Sequence, residues 1–365
     1  MTVGNGPIKP ARPGNRPLHD TPYPRLHVLR YMGTKAPVLG LVCPAIEAMA
    51  PPGATVCDLM AGTHAVGYAL KTRNRIIAND IQAYSAVVGK ALIENHTRCI
   101  SSWQAREQLG DLVLRNHEER KFTFFQDYYA DKYFSARQCR DIDSIRYAIE
   151  DVTDKHESAL YLCALMHAMC LGQSTTGHFA EYLPSTHERL RPLRAIDIWD
   201  AFLRKCDEMQ VVRSDASHVV LCEDYRIVLQ SPVYAHLTPQ VDCFYLDPPY
   251  SDAQYSRFYH VLETVVRYDR PPLRHKGGYR AGRHQSRFSQ RASAEAEFEW
   301  AVSRAAALGR PLVISYSSRG LVPTDRLAAL CRRHYREVQM AQAAHNHSSQ
   351  GKGPAPVSEI VLACR

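Results

Sequence analysis

The sequence predicts an α/β fold in which a largely parallel sheet is interrupted by a mostly helical insertion. Near both ends of the chain, short apolar runs of strand length alternate with stretches of helical periodicity. Between positions 97 and 212, apolar residues instead recur at three-to-four spacing with charges between them. Short strands separated by helices of this length form βαβ units and a parallel sheet.

Before the insertion, the pattern predicts strands at 54–60 and 75–79 and helices at 35–49, 63–72 and 83–95. After it, the α/β pattern resumes at 218–229, 241–250, 310–316, 335–341 and 358–364. We therefore expect one α/β domain built from 26–96 and 213–365, with the insertion at 97–212 and a flexible Pro- and Arg-rich arm at 1–25. The aromatic run at 122–134 is interpreted as core of the insertion, and the alternative is a surface that meets DNA.

Composition excludes several classes of protein. Apolar residues make up 45% and charged residues 22% of the 365 positions, as in ordinary globular proteins. No apolar run is long enough to span a bilayer, and residues 1–17 lack the apolar segment of a secretory signal. The eleven cysteines are scattered without CxxC pairs, so we expect neither a metal site nor disulfides but a reduced cytoplasmic protein. The net charge of +8 fits a polyanionic partner.

The stretch "DLMAGTHAVGYALKTRNRIIAND" (58–80) has the pattern of a nucleotide-type cofactor site. A strand leads into the small-residue turn Ala61-Gly62-Thr63 and then into a helix, where a cofactor can approach backbone N–H groups. A second strand ends at Asp80, about 20 residues on, where a carboxylate can accept both hydroxyls of a ribose. Methyl transfer and hydride transfer remain open at this point, because the cofactors of both reactions carry an adenosine.

The stretch "LDPPY" (246–250) favours methyl transfer to an exocyclic amine. The two prolines must end the preceding strand, since they cannot donate to a sheet ladder. The Asp247 carboxylate and the Pro248 carbonyl can each accept one N–H bond of the amine, which draws its nitrogen toward tetrahedral geometry. The Tyr250 ring can stack on the base that carries the amine. The chemistry is orientation and directional hydrogen bonding rather than ordinary acid–base catalysis.

Four stretches in this order resemble the Dam-like, alpha-group N6-adenine DNA methyltransferases. They are "RYMGTK" (30–35), "DLMAGTHAVG" (58–67), "NDI" (79–81) and "LDPPYSDAQYSRFYHVLETV" (246–265). Weaker similarity is found at "CEDY" (222–225), "LVISYSSRG" (312–320) and the closing "SEIVLA" strand. The insertion at 97–212 lies where this group has its target-recognition domain.

The resemblance implies a Rossmann-like class I S-adenosylmethionine-dependent methyltransferase that methylates N6 of adenine in DNA. The target base would be flipped into a pocket formed by the catalytic residues Asp247, Pro248, Pro249 and Tyr250. The implied cofactor-binding residues are Tyr31, Gly33, Lys35, Asp58, Ala61, Gly62, Thr63, Asp80, Ile81, Asp224, Tyr225 and Asp247. Such a protein would be cytoplasmic and associated with the nucleoid, and any cognate restriction enzyme leaves no trace in the sequence.

The cofactor loop departs from the family pattern at two positions. His64 stands where another glycine is typical, and Met60 replaces an aromatic residue. We expect the His64 side chain to point outward and to be tolerated. The alternative is that it crowds the cofactor, because only glycine allows the closest backbone approach.

The basic stretch at 270–291 predicts a nucleic-acid contact. It holds seven Lys and Arg residues, no acids, and interleaved aromatic residues. Basic side chains follow a phosphate backbone, and aromatic rings can stack on an unpaired base. Its glycines predict a flexible loop that orders when double-stranded DNA binds. The candidate DNA-binding residues are Lys276, Tyr279, Arg280, Arg283, Arg287 and Arg291.

Two alternative functions remain open from the sequence. One is methylation of adenine in RNA, or of cytosine N4 in DNA, by the same kind of site. The other is a non-catalytic DNA-binding protein on a degenerate methyltransferase fold, which His64 supports and which Asp58, Asp80, Asp247 and Tyr250 argue against.

Overall fold

A computed structural model describes residues 22–24, 26, 29, 33–344 and 357–365. Most of the predicted arm at 1–25 and the predicted cofactor residue Tyr31 lie outside these ranges. The strands of the described chain are β1 (Thr55–Asp58), β2 (Arg75–Asn79), β3 (Val219–Leu221), β4 (Cys243–Leu246), β5 (Leu273–Arg274), β6 (Tyr279–Arg280), β7 (Leu312–Ser317), β8 (Val338–Ala344) and β9 (Ser358–Cys364).

Helices lie between most of these strands and cover both faces of the main sheet. They are α1 (Leu39–Met49), α2 (Ala65–Leu70), α3 (Ala83–Gly89, extended by a π turn at Lys90–Glu94), α4 (Ser102–Glu119), α5 (Phe124–Tyr128), α6 (Ala136–Ile149), α7 (Lys155–Gly172), α8 (Leu190–Arg194), α9 (Ile198–Glu208), α10 (Tyr225–Gln230), α11 (Tyr255–Phe258), α12 (His260–Arg267), α13 (Ala294–Ala307) and α14 (Thr324–His334). None of the described helices is long and apolar enough to cross a membrane.

The main sheet has seven strands in the described chain, in the order β3-β2-β1-β4-β7-β9-β8. All neighbours pair in parallel except β9, which is antiparallel to both β7 and β8. The chain leaves β1 toward β2 on one side and later returns to β4 on the other. This reversal opens a crevice at the carboxyl ends of β1, β2 and β4, where doubly wound sheets bind their ligands.

The strands predicted at 54–60 and 75–79 are confirmed, and the run at 218–229, where the α/β pattern was predicted to resume, holds both a strand and a helix. Strand β3 ends at Leu221, and α10 begins at Tyr225 after an N-cap at Asp224, whose side chain accepts a bond from the Arg226 N–H. The buried positions Tyr225, Val228 and Leu229 follow helical spacing. The run is therefore a strand followed by a capped helix, because the cap satisfies N–H groups that a continuing strand would leave unpaired.

Alternate residues along the sheet enter two different hydrophobic clusters. In β1 and β4, Val56 and Tyr245 belong to one cluster, whereas Cys57 and Phe244 belong to the other. The helices of segment 97–212 pack in the same cluster as the first face rather than forming a core of their own. The division of the chain into domains thus stays a prediction, while the segment is continuous with the sheet in its packing.

The aromatic run at 122–134 lies in this shared core, as predicted. Its buried residues are Phe124, Phe125, Tyr129, Tyr133 and Phe134. The hydroxyls of Tyr129 and Tyr133 donate to the carbonyls of Gly278 and Gly277, 3.1 and 2.8 Å away. The run therefore fastens the β5–β6 hairpin of the basic stretch to the helical segment.

Asp143 on α6 joins the helical segment to the helix that follows the DPPY stretch. Its fully buried carboxylate accepts bonds from the backbone N–H groups of Phe125 and Gln126, at 2.9 and 3.0 Å, and from the hydroxyl of Tyr268, the residue after α12. A buried carboxylate is tolerated only when such donors replace water.

We predict that Asp143→Ala lowers the free energy of unfolding by about 3 kcal/mol, because four donors lose their acceptor at once: the N–H groups of Phe125 and Gln126, the Gln126 side-chain amide and the Tyr268 hydroxyl. Urea unfolding followed by circular dichroism measures the effect. Asp111→Ala, an exposed aspartate on α4, is the matched control and should change stability by less than about 0.5 kcal/mol. Equal stability of the two variants would contradict this role of Asp143.

Candidate active site

A cleft of about 200 Å³ opens at the carboxyl ends of β1, β2 and β4. It adjoins a smaller crevice behind the turn after β1. Together they bring the predicted site residues into one place. Those lining the cleft are Gly33, Lys35, Gly62, Asp80, Ile81, Asp224, Tyr225, Asp247, Pro248, Pro249 and Tyr250, and the crevice adds Asp58, Ala61 and Thr63.

Asp80 at the end of β2 is fixed by the turn that it faces. Its Oδ2 accepts a bond from the Gly62 N–H at 2.9 Å, and its Oδ1 accepts one from the Gln82 N–H at 2.8 Å. Burial raises the pKa of Asp80 to about 6, although the two N–H bonds oppose that rise. The carboxylate is therefore mostly ionised at neutral pH and is rigidly presented to the cleft.

Asp247 follows β4 directly and is paired with Lys35. The Lys35 ammonium lies 2.7 Å from Asp247 Oδ1, and the Ser315 hydroxyl donates to the same oxygen at 2.9 Å. Oδ2 has no partner among the described residues. Burial raises the pKa of Asp247, and the ammonium and hydroxyl act against that rise. Burial would lower the pKa of Lys35, but the nearby acidic groups, Asp247 first, hold it well above its ordinary value.

Tyr250 is held on several sides. Its ring makes an edge-to-face contact with Tyr316 at a centroid distance of 6.0 Å, and Lys35 Nζ lies 5.1 Å from its centroid. The Leu321 N–H donates to its carbonyl at 3.0 Å. Gly33 (φ +76°) lies so close that an added Cβ would stand 2.9 Å from the Tyr250 hydroxyl oxygen. The stretch therefore has a fixed backbone and a fixed ring direction.

The outer wall of the cleft was not foreseen from the sequence. It is formed by 284–288, within the basic stretch that the sequence assigned only to DNA. Gln254 clamps this wall: its side-chain amide donates to the Ser286 carbonyl at 3.2 Å and its Oε1 accepts from the Ser286 N–H at 2.8 Å. The Ser256 hydroxyl donates to the His284 carbonyl at 2.6 Å. A local sequence pattern cannot predict contacts between segments that lie about thirty residues apart.

The basic stretch is a pinned hairpin rather than the flexible loop that its glycines predicted. Arg280 forms two bonds of 2.7 Å to Asp269, and Tyr279 donates its hydroxyl to the Ala180 carbonyl. Two further candidate DNA-binding residues are also engaged, since Arg283 lies over the Tyr279 ring and Arg287 pairs with Glu297 at 3.1 Å. Lys276 and Arg291 are exposed and form no ion pair within the described part of the chain.

His64 does not point outward, so that expectation is wrong. Its backbone is left-handed (φ +62°), and its side chain is fully buried behind the loop, away from both cleft and crevice. Nε2 donates to the Ser85 carbonyl at 2.8 Å, and the ring fills the space beside Gly89. Burial lowers the pKa of His64 to about 4, so the ring is neutral at pH 7. The side chain turned inward because Gly89 leaves room for it.

The site holds more negative than positive charge. Asp58, Asp247 and Glu359 act on the buried ammonium of Lys35, and Asp80 lines the same cleft. Burial, followed by the neighbouring carboxylates, raises the pKa of Asp58 well above its usual range. This set of acceptors fits a ligand that carries positive charge and ribose hydroxyls.

We predict that His64→Gly is less stable than the wild type by about 2 kcal/mol at pH 7, through a lost hydrogen bond and a cavity. The unfolded chain binds a proton near pH 6.5 that folded His64 binds only near 4. The wild-type protein therefore loses stability as the pH falls from about 6.5 toward 4. The stability difference between the wild type and His64→Gly should narrow over this range by up to about 1.4 kcal/mol per pH unit. Urea unfolding at pH 4.5–7.5, with the exposed His236→Ala as control, measures it; a constant difference would contradict the prediction.

Three known proteins show what this chain is similar to. The modification methylase LlaI of Lactococcus lactis subsp. lactis is 28% identical over 92% of this chain and 54% of its own length. The type II methyltransferase M.FokI of Planomicrobium okeanokoites is 25% identical over 84% of this chain and 47% of its own length. The type II methyltransferase M.NlaIII of Neisseria lactamica is 26% identical over 76% of this chain and 79% of its own length. The chain thus spans about half the length of the first two relatives.

Residues 31–306, about three quarters of the chain, match the D12 class of N6 adenine-specific DNA methyltransferases. The sheet, with its single antiparallel strand β9, is the predicted Rossmann-like class I methyltransferase sheet. The resemblance to Dam-like N6-adenine methyltransferases is likewise confirmed as a family relationship. The chain belongs to the D12 class N6 adenine-specific DNA methyltransferase family.

Proposed function

We propose that this protein transfers a methyl group from S-adenosylmethionine to N6 of adenine in DNA, with the base flipped into the Asp247–Tyr250 pocket. The observation that carries the proposal is the position of these four residues. They lie at the carboxyl end of β4, in the same cleft as Asp80 and Asp224. An amine acceptor and an adenosine-type cofactor would therefore meet in one enclosure.

The cleft offers the cofactor a distinct group for each of its parts. Asp80 would bind the ribose hydroxyls, and Ile81 and Tyr225 would flank the adenine. The Asp224 carboxylate would accept a hydrogen bond from the adenine amine. Gly62 and the neighbouring turn residues Ala61 and Thr63 would allow close backbone approach. The implied residues at the methionine end are Tyr31, Gly33, Lys35 and Asp58. When bound, the cofactor supplies an electrophilic methyl group.

The chain's own residues would orient the amine. Asp247 Oδ2 would accept one N6–H bond and the Pro248 carbonyl the other, which localises the nitrogen lone pair. Lys35 and Ser315 already fix Oδ1, so the carboxylate reaches the amine without reorganisation. Stacking on Tyr250 would offset part of the few kcal/mol that base flipping costs.

Double-stranded DNA is the proposed substrate, and two parts of the chain are suited to bind it. The basic stretch would follow the phosphates through Lys276, Arg283 and Arg291, with Tyr279, Arg280 and Arg287 keeping the hairpin in place or exchanging their present partners. Segment 97–212 would recognise the target sequence. A protein with this substrate would act in the cytoplasm at the nucleoid, and the relatives' names make a cognate restriction enzyme a reasonable partner to test.

The non-catalytic alternative is weakened by the position of His64. Its ring lies behind the loop and does not occupy the cleft, so the residue that supported a degenerate cofactor site leaves that site open. RNA adenine and cytosine N4 are distinguished from DNA adenine by the experiment below.

We predict that expression in a host without adenine methylation produces N6-methyladenine in one sequence context, detected by modification-sensitive sequencing. Asp247→Ala should abolish the mark, because one of the two acceptors for N6–H is lost. Asp325→Ala, an exposed aspartate on α14, is the control and should keep it. Methylated RNA or N4-methylcytosine in place of N6-methyladenine would contradict the proposal, as would unmodified nucleic acid.

We also predict that Gly33→Ala lowers the methylation rate at least about tenfold, because its Cβ would displace the Tyr250 and Tyr255 hydroxyls. Gly309→Ala is the matched control: its φ is also positive (+68°), but nothing lies within 4 Å of the added Cβ. Both variants should lose about 1 kcal/mol of stability from backbone strain. Similar methylation rates for the two variants would show that Tyr250 does not need this close contact.

A further inference from the structure

Glu359 on β9 is a buried carboxyl group that the proposed reaction leaves without a role. The residue is fully inaccessible to solvent, and neither carboxylate oxygen has a hydrogen-bond partner among the described residues. Lys35 Nζ lies 3.4 Å from Oε1, within ion-pair distance. An ionised carboxylate without donors is costly in a protein interior. Glu359 also lies outside residues 31–306, which match the family.

Lys35 connects Glu359 to the reacting carboxylate. One ammonium stands between two acids, 2.7 Å from Asp247 Oδ1 and 3.4 Å from Glu359 Oε1. The titratable groups that act on Glu359 are Lys35, Asp247 and the Tyr250 phenol, while its strand neighbours are Ser317 on β7 and Ala343 on β8. One cation cannot neutralise both acids, so one positive charge is missing when both are ionised.

Burial raises the pKa of Glu359 to about 7, and the Lys35 ammonium limits that rise. Near neutral pH the group is thus poised between its two forms, and a charge brought into the adjoining cleft shifts the balance. A cation there favours the ionised form, and its loss favours the protonated form.

We propose that Glu359 matches the charge of the cleft to that of its cofactor, ionised beside the cationic methyl donor and protonated beside the neutral product. This inference rests on the proposed function. Methyl transfer breaks the C–S bond, whose electron pair remains on sulfur, and forms the C–N bond. N6 then loses one proton, which Asp247 accepts and passes through Lys35 to Glu359. Lys35 gives one proton and takes one, so the ammonium is restored. The cluster of Asp247, Lys35 and Glu359 thus loses the neighbouring sulfonium charge and gains the proton from N6.

Glu359 acts through Lys35 and is therefore a positioning residue for charge, not a group in contact with substrate. Glu359 should affect the binding of two otherwise similar ligands differently. S-adenosylmethionine carries a positively charged sulfonium, whereas S-adenosylhomocysteine carries a neutral thioether. S-adenosylmethionine should bind with release of a proton near pH 7, and S-adenosylhomocysteine with less release or none. The affinity for S-adenosylmethionine should also rise about tenfold from pH 6 to pH 8.

Isothermal titration calorimetry of both ligands, in two buffers of different ionisation enthalpy, measures this proton release. Glu359→Gln keeps the shape but cannot titrate. We expect the variant to lose the pH-dependent part of S-adenosylmethionine affinity and to shift the preference toward S-adenosylhomocysteine several-fold. Asp58, Asp80 and Asp247 also titrate in this cleft, so the difference between wild type and variant isolates Glu359.

Each remaining outcome would overturn the inference. Equal proton release for the two ligands on the wild-type protein would do so even if the variant failed to fold. Unchanged pH dependence in a folded Glu359→Gln variant would do so while leaving the proposed function intact. Absence of any S-adenosylmethionine binding at millimolar concentration would overturn both, and this result is distinguishable because it appears on the wild type with either buffer.

Discussion

The ion pair between Lys35 and Asp247 is the contact on which the rest of the site depends. It joins the segment before α1 to the end of β4, and Lys35 is only 5% exposed. Without the ammonium, Asp247 and Glu359 would share a buried space with no counter-charge between them. Such a pair contributes little net stability, but the loss of one partner is strongly destabilising because a bare charge remains. The pair therefore specifies geometry more than it adds stability.

Segment 97–212 is also joined to the sheet by direct packing contacts. Its helices pack in the cluster that covers one sheet face, and Arg146 on α6 donates to the Val265 carbonyl of α12 at 2.8 Å. Helix α12 follows the DPPY stretch closely. A segment that recognised a DNA sequence from this position would therefore be packed directly against the helix that follows the pocket for the base.

The sequence predicted the parts of this structure that depend on neighbouring residues. Strand alternation, the small-residue turn and the acid at each strand end are local, and parallel topology brings the ends of β1, β2 and β4 together. What failed depends on distant partners. His64 turned inward because Gly89, 25 positions on, leaves space for its ring. The wall at 284–288 exists because Gln254 binds Ser286, 32 positions on. No window of sequence contains both members of these pairs.

The negative charge of the cleft follows from the topology as well. Asp58 ends β1, Asp80 follows β2 and Asp247 follows β4, so three acids converge at one edge of a parallel sheet. The turn N–H groups that meet them supply only partial positive charge, and Lys35 supplies one full charge to a set that also includes Glu359. Such a concentration of acids favours a ligand that brings positive charge. Beside an uncharged ligand the same cluster would instead keep a proton, and Glu359, whose pKa burial raises to about 7, is the group suited to hold it.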